Sequence, residues 1–571
     1  MRFRPLLATV LILVVLASGC IGGRTSTTPS STPSTSSQVQ TPTPHLVPPW
    51  NYKNAKVTRG VSFREVWSNL TRAQTYAGNV SLSYSNGIVT VNFTGVVRKA
   101  KSGVFEIMEE VPNEKPSAIN ITVLVNGKAV DLASPPVEVY AYPKMYNTHF
   151  GYPHSGWLIV YRIPVNGSAF RLTLISKFNY RDYTSAYNPE FSILVPVLLG
   201  AVPVVEDFNM TLHYRIPGEK LVIPGYGVFS GSGSIKNFNS PDYLRYAYIY
   251  PEIVLKNVRI RGFNVTMVFL KNWYSNDTYE ELVNATKVGL DTFAEYTGYS
   301  VNGSVWYVQH PYLLNSQVSN VWNVVYLKRF LDYGSVTDVL YMDWLVWSRK
   351  FIPMELSNFL SMWEVFVSLK KVNPTYAGEF VKSMDSYGLM YTSNVTLAQI
   401  LSKNEFGVEV FGRGFFVLRS LSTIIGNESI LKAYRVIFRD YKGVHNMSAE
   451  TLERIFENAS GQRLEWFFDE WFKTNLVPNY NVQDLKLENG STYRLSFKLV
   501  DSSGFTMPIR VAVYDSNGTL IGKKTVWVRK GLGEVSFSLK ERPAKVVVDP
   551  GDFVLNPKLQ TTIDGVSIFI D

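Results

Sequence analysis

The chain has 571 residues, 46% of them hydrophobic and 14% aromatic, enough for two to four domains with sizeable cores. Its formal net charge of +10 is spread thinly, with no basic run beyond the first residues, which argues against nucleic-acid binding and leaves a weak preference for acidic surfaces. The single cysteine, Cys20, excludes an intrachain disulfide and a thiolate metal site in the folded part.

Arg2 and Arg4 precede an apolar run over 6–16, and the small residues Ala17, Ser18 and Gly19 lead into Cys20. Charged start, short apolar core and small-residue cleavage site are the order of a secretory signal, here 1–19. A helix needs about 20 apolar residues to cross the roughly 30 Å hydrocarbon core, so cleavage before Cys20 is expected rather than retention as an anchor. The segment LASGC resembles a lipobox of the archaeal type, with Ala17 where a large aliphatic residue is commonest. The resemblance implies a lipid on Cys20 and a place on the outer face of the cell membrane. Residues 20–48 continue in Ser, Thr, Pro and Gln, which bury too little apolar surface to fold, and read as an extended stalk. Sixteen Asn-x-Ser/Thr sequons lie along the rest of the chain, among them Asn69, Asn92, Asn166, Asn264, Asn302, Asn427 and Asn517, a density that points to a glycosylation machinery.

Over 49–265 short runs such as VSLSY, IVTVNF and FRLTLIS alternate at period two between Asn-Gly, Pro and Gly turns, predicting a β saddle or sandwich. The Gly-rich GYGVFSGSGS beginning at Gly225 lacks the lysine and following helix of a phosphate loop and reads as a turn between strands. Within 266–477 the period becomes 3.6, with helices expected over 278–296, 336–351, 355–371, 406–424, 428–440 and 449–473. Residues 478–571 return to alternation, a small β-sandwich with a hairpin turn at 515–518. The fold class is thus multidomain α+β.

This order resembles the gluzincin aminopeptidases related to aminopeptidase N, as do three segments: ENASGQRLEWFFDEWFKTNLVPNY, similar to the family's closing helix pair; VFGRGFFVLRS, similar to its Tyr-x-x-Gly helix; and AKVVVDPGDFVLNP, similar to the last strand of its appended sandwich. The resemblance implies a thermolysin-like, mainly helical middle domain. It also implies a zinc site built on His-Glu-x-x-His, where the histidines share one helix face and the glutamate is general base. With Glu364 set on the third ligand, eighteen residues after the motif, the motif falls on 341–345. Tyr341 and Leu345 then replace the histidines, Met342 the catalytic glutamate, and Phe411 the tyrosine that stabilises the oxyanion. The amine-capturing Gly-x-Met-Glu-Asn loop has no counterpart in LLNSQVSN. The family pattern is therefore degenerate, and Glu364 alone cannot build a tetrahedral site.

A lone helical carboxylate is expected to be exposed or ion-paired, and Tyr341, Trp344, Leu345 and Trp347 to pack as core at helical spacing. Trp344 and Trp347 are also the candidates for lining a ligand cleft. His149 and His154 are the only histidines close in sequence, and read as loop residues. No Gly-x-Ser-x-Gly elbow occurs, while carboxylate-pair chemistry stays open because spacing in space is not visible here. The leading expectation is a surface-anchored, catalytically inactive aminopeptidase-like protein, without cofactor, that binds peptide, protein or glycan ligands. The alternatives are a metallopeptidase with a non-standard zinc site and a structural envelope protein.

Overall fold

The computed structural model describes residues 55–59, 69–99, 103–111, 119–132, 137–141, 157–179, 201–239, 247–250, 252–309, 317–319, 324–327, 331, 333–390, 395–403 and 408–571. The signal, Cys20, the stalk, His149 and His154 lie outside them. The described residues form a mixed α+β structure of several sheets and nine α-helices.

Alternation puts Val80, Leu82, Val91, Phe93, Leu172, Leu174 and Leu212 on one buried face. The strands that carry them are β1 (Ala73–Ser85), β2 (Ile88–Arg98), β4 (Ala169–Asn179) and β5 (Val205–Ile223). With β3 (Ile119–Val125) and β6 (Gly227–Phe238) they form an eight-stranded sheet in the order β6-β5-β1-β2-β4-β3, completed by the short strands Lys128–Ala129 and Tyr248–Tyr250. A second sheet, of Ala55–Arg59, Val137–Ala141, Trp157–Val165, Gly103–Val111 and Ala201–Pro203, closes the same core through Phe105, Ile107, Ile159 and Ile163. On the inner face Gly78 pairs with Gly95, and a Cβ on Gly95 would meet the Tyr76 ring at 2.9 Å, so the ring lies where a side chain would be. The turn read into GYGVFSGSGS is confined to 224–226; from Gly227 the segment is strand β6.

The last part of the expected N-terminal β region belongs elsewhere. β7 (Ile253–Ile260) and β8 (Phe263–Leu270) pair in a separate five-stranded sheet, β7-β8-β9-β11-β10, with β9 (Ser304–Gln309), β10 (Gln317–Ser319) and β11 (Val324–Leu327). β8 runs across the limit drawn at 265, and its parallel pairing with β9 ties it to the residues C-terminal to that limit. Helix α1 (Asn276–Thr297) makes that crossover; Ser275 caps its start by accepting from Thr278 N, and Gly298, at φ 77°, ends it.

α2 (Tyr333–Ser348), α3 (Met354–Val372), α4 (Pro374–Met390), α5 (Leu397–Lys403), α6 (Gly412–Ile425) and α7 (Asn427–Asp440) come next in the chain. The long helix expected over 449–473 is two, α8 (Ala449–Ser460) and α9 (Glu465–Trp471), because Gly461 adopts φ 71° and stops the first. The C-terminal residues form two sheets, Tyr480–Asn489, Tyr493–Asp501 and Leu532–Leu539 in one, and five strands between Met507 and Ile570 in the other. At the expected hairpin, Asp515 Oδ1 accepts from Asn517 N and Thr519 N. One continuous apolar cluster runs from β7 through the helices into these sheets. Among the described residues no helix is long and apolar enough to cross a membrane.

Candidate functional site

α2 is apolar on nearly every side, which forces it into the centre of the helical region. Tyr341, Trp344, Leu345 and Trp347 are each at most 1% exposed. Trp344 meets the rings of Phe293 and Phe438 at 5.0 and 5.7 Å, and Trp347 those of Phe293 and Phe263 at 5.5 and 5.8 Å. The two tryptophans are core residues and present no wall to a ligand, which corrects their reading as cleft residues. Aromatic spacing on a helix looks alike in sequence whether it faces solvent or core.

Tyr341 faces α3 and the start of α6. Its hydroxyl donates to Asn358 Oδ1 at 3.3 Å, and its ring meets that of Phe411 at 6.0 Å. Phe411 in turn meets Tyr387 of α4 at 6.1 Å. Burial drives the Tyr341 phenol well above its ordinary pKa, and Arg349 and Glu355 are its charged neighbours. Arg349 lies just past the end of α2 and is half-buried; its Nε and Nη2 are shielded from water and have no hydrogen-bond acceptor among the described residues. Met342 lies on α2 between Tyr341 and Asp343.

Contrary to expectation, Glu364 is 1% exposed and has no ion pair among the described residues; Ser368 Oγ donates to its Oε1 at 2.8 Å. Its Oε2 has no partner among the described residues. Burial, with the charge of Asp343 in support, pushes its pKa up to about 8. Asp343, in the interior of the aligned motif, is wholly buried and is also raised to about 8 by burial. Tyr307 of β9 donates to Asp343 Oδ2 at 2.5 Å, and Thr286 Oγ1 lies 2.9 Å from the same phenol. Burial thus favours the protonated form of both acids. No sequence signal marked Asp343, since a charged residue inside an apolar helix reads as its solvent face.

Glu364 lies near Ser368, Asp343, Lys371, Tyr296 and Tyr434, and Tyr341 near Asn358, Phe411, Glu355, Arg349 and Tyr387. Zinc needs three or four nitrogen, sulfur or carboxylate donors in tetrahedral reach. A phenol at 341 and an isobutyl group at 345 do not supply them, so the residues present do not fit the metal. Among the described residues no group of three or more His, Cys, Asp and Glu side chains could hold one. His213 and His445 are exposed, far in sequence from α2, and His213 Nε2 lies 3.2 Å from Asn79 Oδ1.

Of the sequon asparagines, Asn69, Asn166, Asn264, Asn302, Asn427 and Asn517 are exposed and Asn92 is half-buried.

No protein-family model matches the chain, and no curated protein matches it. Among solved structures, it is similar to the Legionella pneumophila aminopeptidase A in complex with aspartic acid, at 14% identity and a TM-score of 0.41. The match covers 87% of this chain and 61% of that one, so the chain spans about three fifths of that protein's length. A likeness of that size adds nothing to the geometry of the site.

Proposed function

We propose that the chain is a catalytically inactive relative of the gluzincin aminopeptidases, held on the outer face of the membrane by a lipid on Cys20 and raised on its stalk, and that it binds ligands. The observation that carries this reading is the contact between Tyr341 and Phe411. In the family's pattern the first aligns with a zinc-binding histidine and the second with the oxyanion tyrosine, two groups that must meet at one reacting centre. Here the two positions do meet, and what meets is a hydrogen-bonded phenol and a bare phenyl ring. The phenol, already donating to Asn358, is not one of the imidazole, thiolate or carboxylate donors that hold zinc, and the phenyl ring has no hydroxyl for an oxyanion; each loss removes orders of magnitude in rate.

With Trp344 and Trp347 inside the core, ligand contact falls to the polar group at the end of α2. Nε and Nη2 of Arg349, shielded from water and without an acceptor among the described residues, would pair with a carboxylate brought into that buried position, which accepts from a guanidinium in a two-pronged geometry. Peptides with free C-terminal carboxylates are the favoured class, with glycan and whole-protein ligands the other outcomes of a screen. Fluorescent peptides with free or amidated C-termini, titrated against residues 49–571 and the Arg349→Ala variant, test this. Binding of the free acids that the variant loses is expected. A folded protein that binds neither form would point to a structural envelope role.

A further inference from the structure

The outward face of the eight-stranded sheet carries sequons on four of its strands, and we propose that Asn79, Asn120 and Asn209, with Asn92, bear N-linked glycans, making this face a sugar-covered surface. In a strand, residues i and i+2 share a face, so each sequon sets its asparagine and its hydroxyl on one side and the middle residue on the other. The middle residues Val80, Phe93 and Met210 are buried in the core, and Ile121 is half-buried. Asn79, Asn120 and Asn209 stand exposed on the opposite side. Thr94 Oγ1 donates to Asn92 Oδ1 at 3.0 Å, so amide and hydroxyl of that sequon stand together above the sheet.

The register turns these pairs into an array. One cross-strand row reads Thr211, Asn79, Thr94, Thr173 and Leu124; the next reads His213, Ser81, Asn92, Ile175 and Thr122. Asn209, opposite Ala77, begins a diagonal that climbs one row per strand through Asn79 and Asn92. Strand spacing and rise put these neighbours about 8 Å apart. Asn120, opposite Lys177, stands one row further on. The rows of Asn79 and Asn92 are largely polar, so a glycan there displaces little apolar contact, while the row of Asn209 continues through Ala77 and Val96.

The co-reactant is an oligosaccharide on a polyprenyl phosphate or diphosphate. The asparagine Nδ2 attacks the anomeric carbon, the N–C bond forms as the C–O bond to phosphate breaks, the lipid phosphate leaves with the electron pair, and the amide proton passes to a base of the transferring enzyme. The inference rests on the export proposed above, and the experiment reads export separately. Full-length protein isolated from the membranes of its native cells is digested and its glycopeptides are fragmented in a mass spectrometer, with the N-terminal peptide read in the same run. The expected result is a lipid-bearing N-terminal peptide at Cys20, sugar masses on the peptides of Asn79, Asn92, Asn120 and Asn209, and loss of those masses in the fourfold Asn→Gln variant. A mature N-terminus at Cys20 with these four peptides bare overturns the glycans and leaves export standing. An uncleaved N-terminus with bare peptides overturns both.

Discussion

The Tyr307 hydroxyl donates to Asp343 Oδ2 at 2.5 Å, joining the mixed sheet to the central helix through an acid whose pKa burial raises. This fixes a sign for the pH dependence of stability. Asp343 and Glu364 have ordinary pKa values of 3.8 and 4.5 and folded values of about 8. Between those limits the folded chain holds two protons that the unfolded chain has released. Their contribution is complete below the ordinary values, declines as pH rises, and is gone above about 8. Each group adds a slope of up to about 1.4 kcal/mol per pH unit. Urea unfolding from pH 5 to 8 is expected to show that loss, and the Asp343→Asn/Glu364→Gln variant a flatter profile.

Trp344→Ala is expected to cost about 3–5 kcal/mol, the range for emptying a buried aromatic site, because the ring is 0% exposed and touches Phe293, Tyr434 and Phe438. Thermal unfolding measures it. The substitution therefore reports on the core, and a binding comparison needs Arg349 instead.

Arg419 fastens α6 to the C-terminal sheets: Nε and Nη2 donate to the carbonyls of Asp552 and Gly551 at 2.5 and 2.6 Å, and its guanidinium lies 4.5 Å from the Phe553 ring centroid. Arg419→Ala leaves both carbonyls without that donor and should cost about 3 kcal/mol. Because one apolar cluster spans both regions, the native chain is expected to lose helical and sandwich signals together. Separation of the two transitions in the variant, followed by Trp fluorescence and circular dichroism, checks the coupling.

Gly412 brings α6 against α4 with no room for a side chain, since a Cβ there would meet Gly388 N at 2.3 Å and Gly388 Cα at 2.5 Å. Backbone must move apart, so Gly412→Ala is expected to destabilise by about 1–3 kcal/mol in a chemical unfolding curve.

These residues also show what local sequence encodes and what it does not. Helices α1, α3 and α7 are legible from 3.6-residue patterns, with Ser275 and Gly298 as end signals for the first. α4 is hidden because Gly378 and Gly388 weaken its helical pattern, and Gly388 is there for the contact with Gly412. β9 and β11 are hidden because SVWYVQ and VVYL are buried parallel strands that do not alternate cleanly. At the site, the absence of histidines from 341–345 is visible in the sequence. The burial of Glu364, the presence of Asp343 near it and the Arg349 donors that have no acceptor among the described residues depend on packing that local spacing does not encode.

The most direct test of the central claim is the zinc content of purified residues 49–571, incubated with zinc, desalted and measured by mass spectrometry alongside hydrolysis of aminoacyl anilides. The donor set around Tyr341 and Leu345 predicts no retained metal and no hydrolysis. Retention of about one zinc per chain together with release of the N-terminal residue would contradict it.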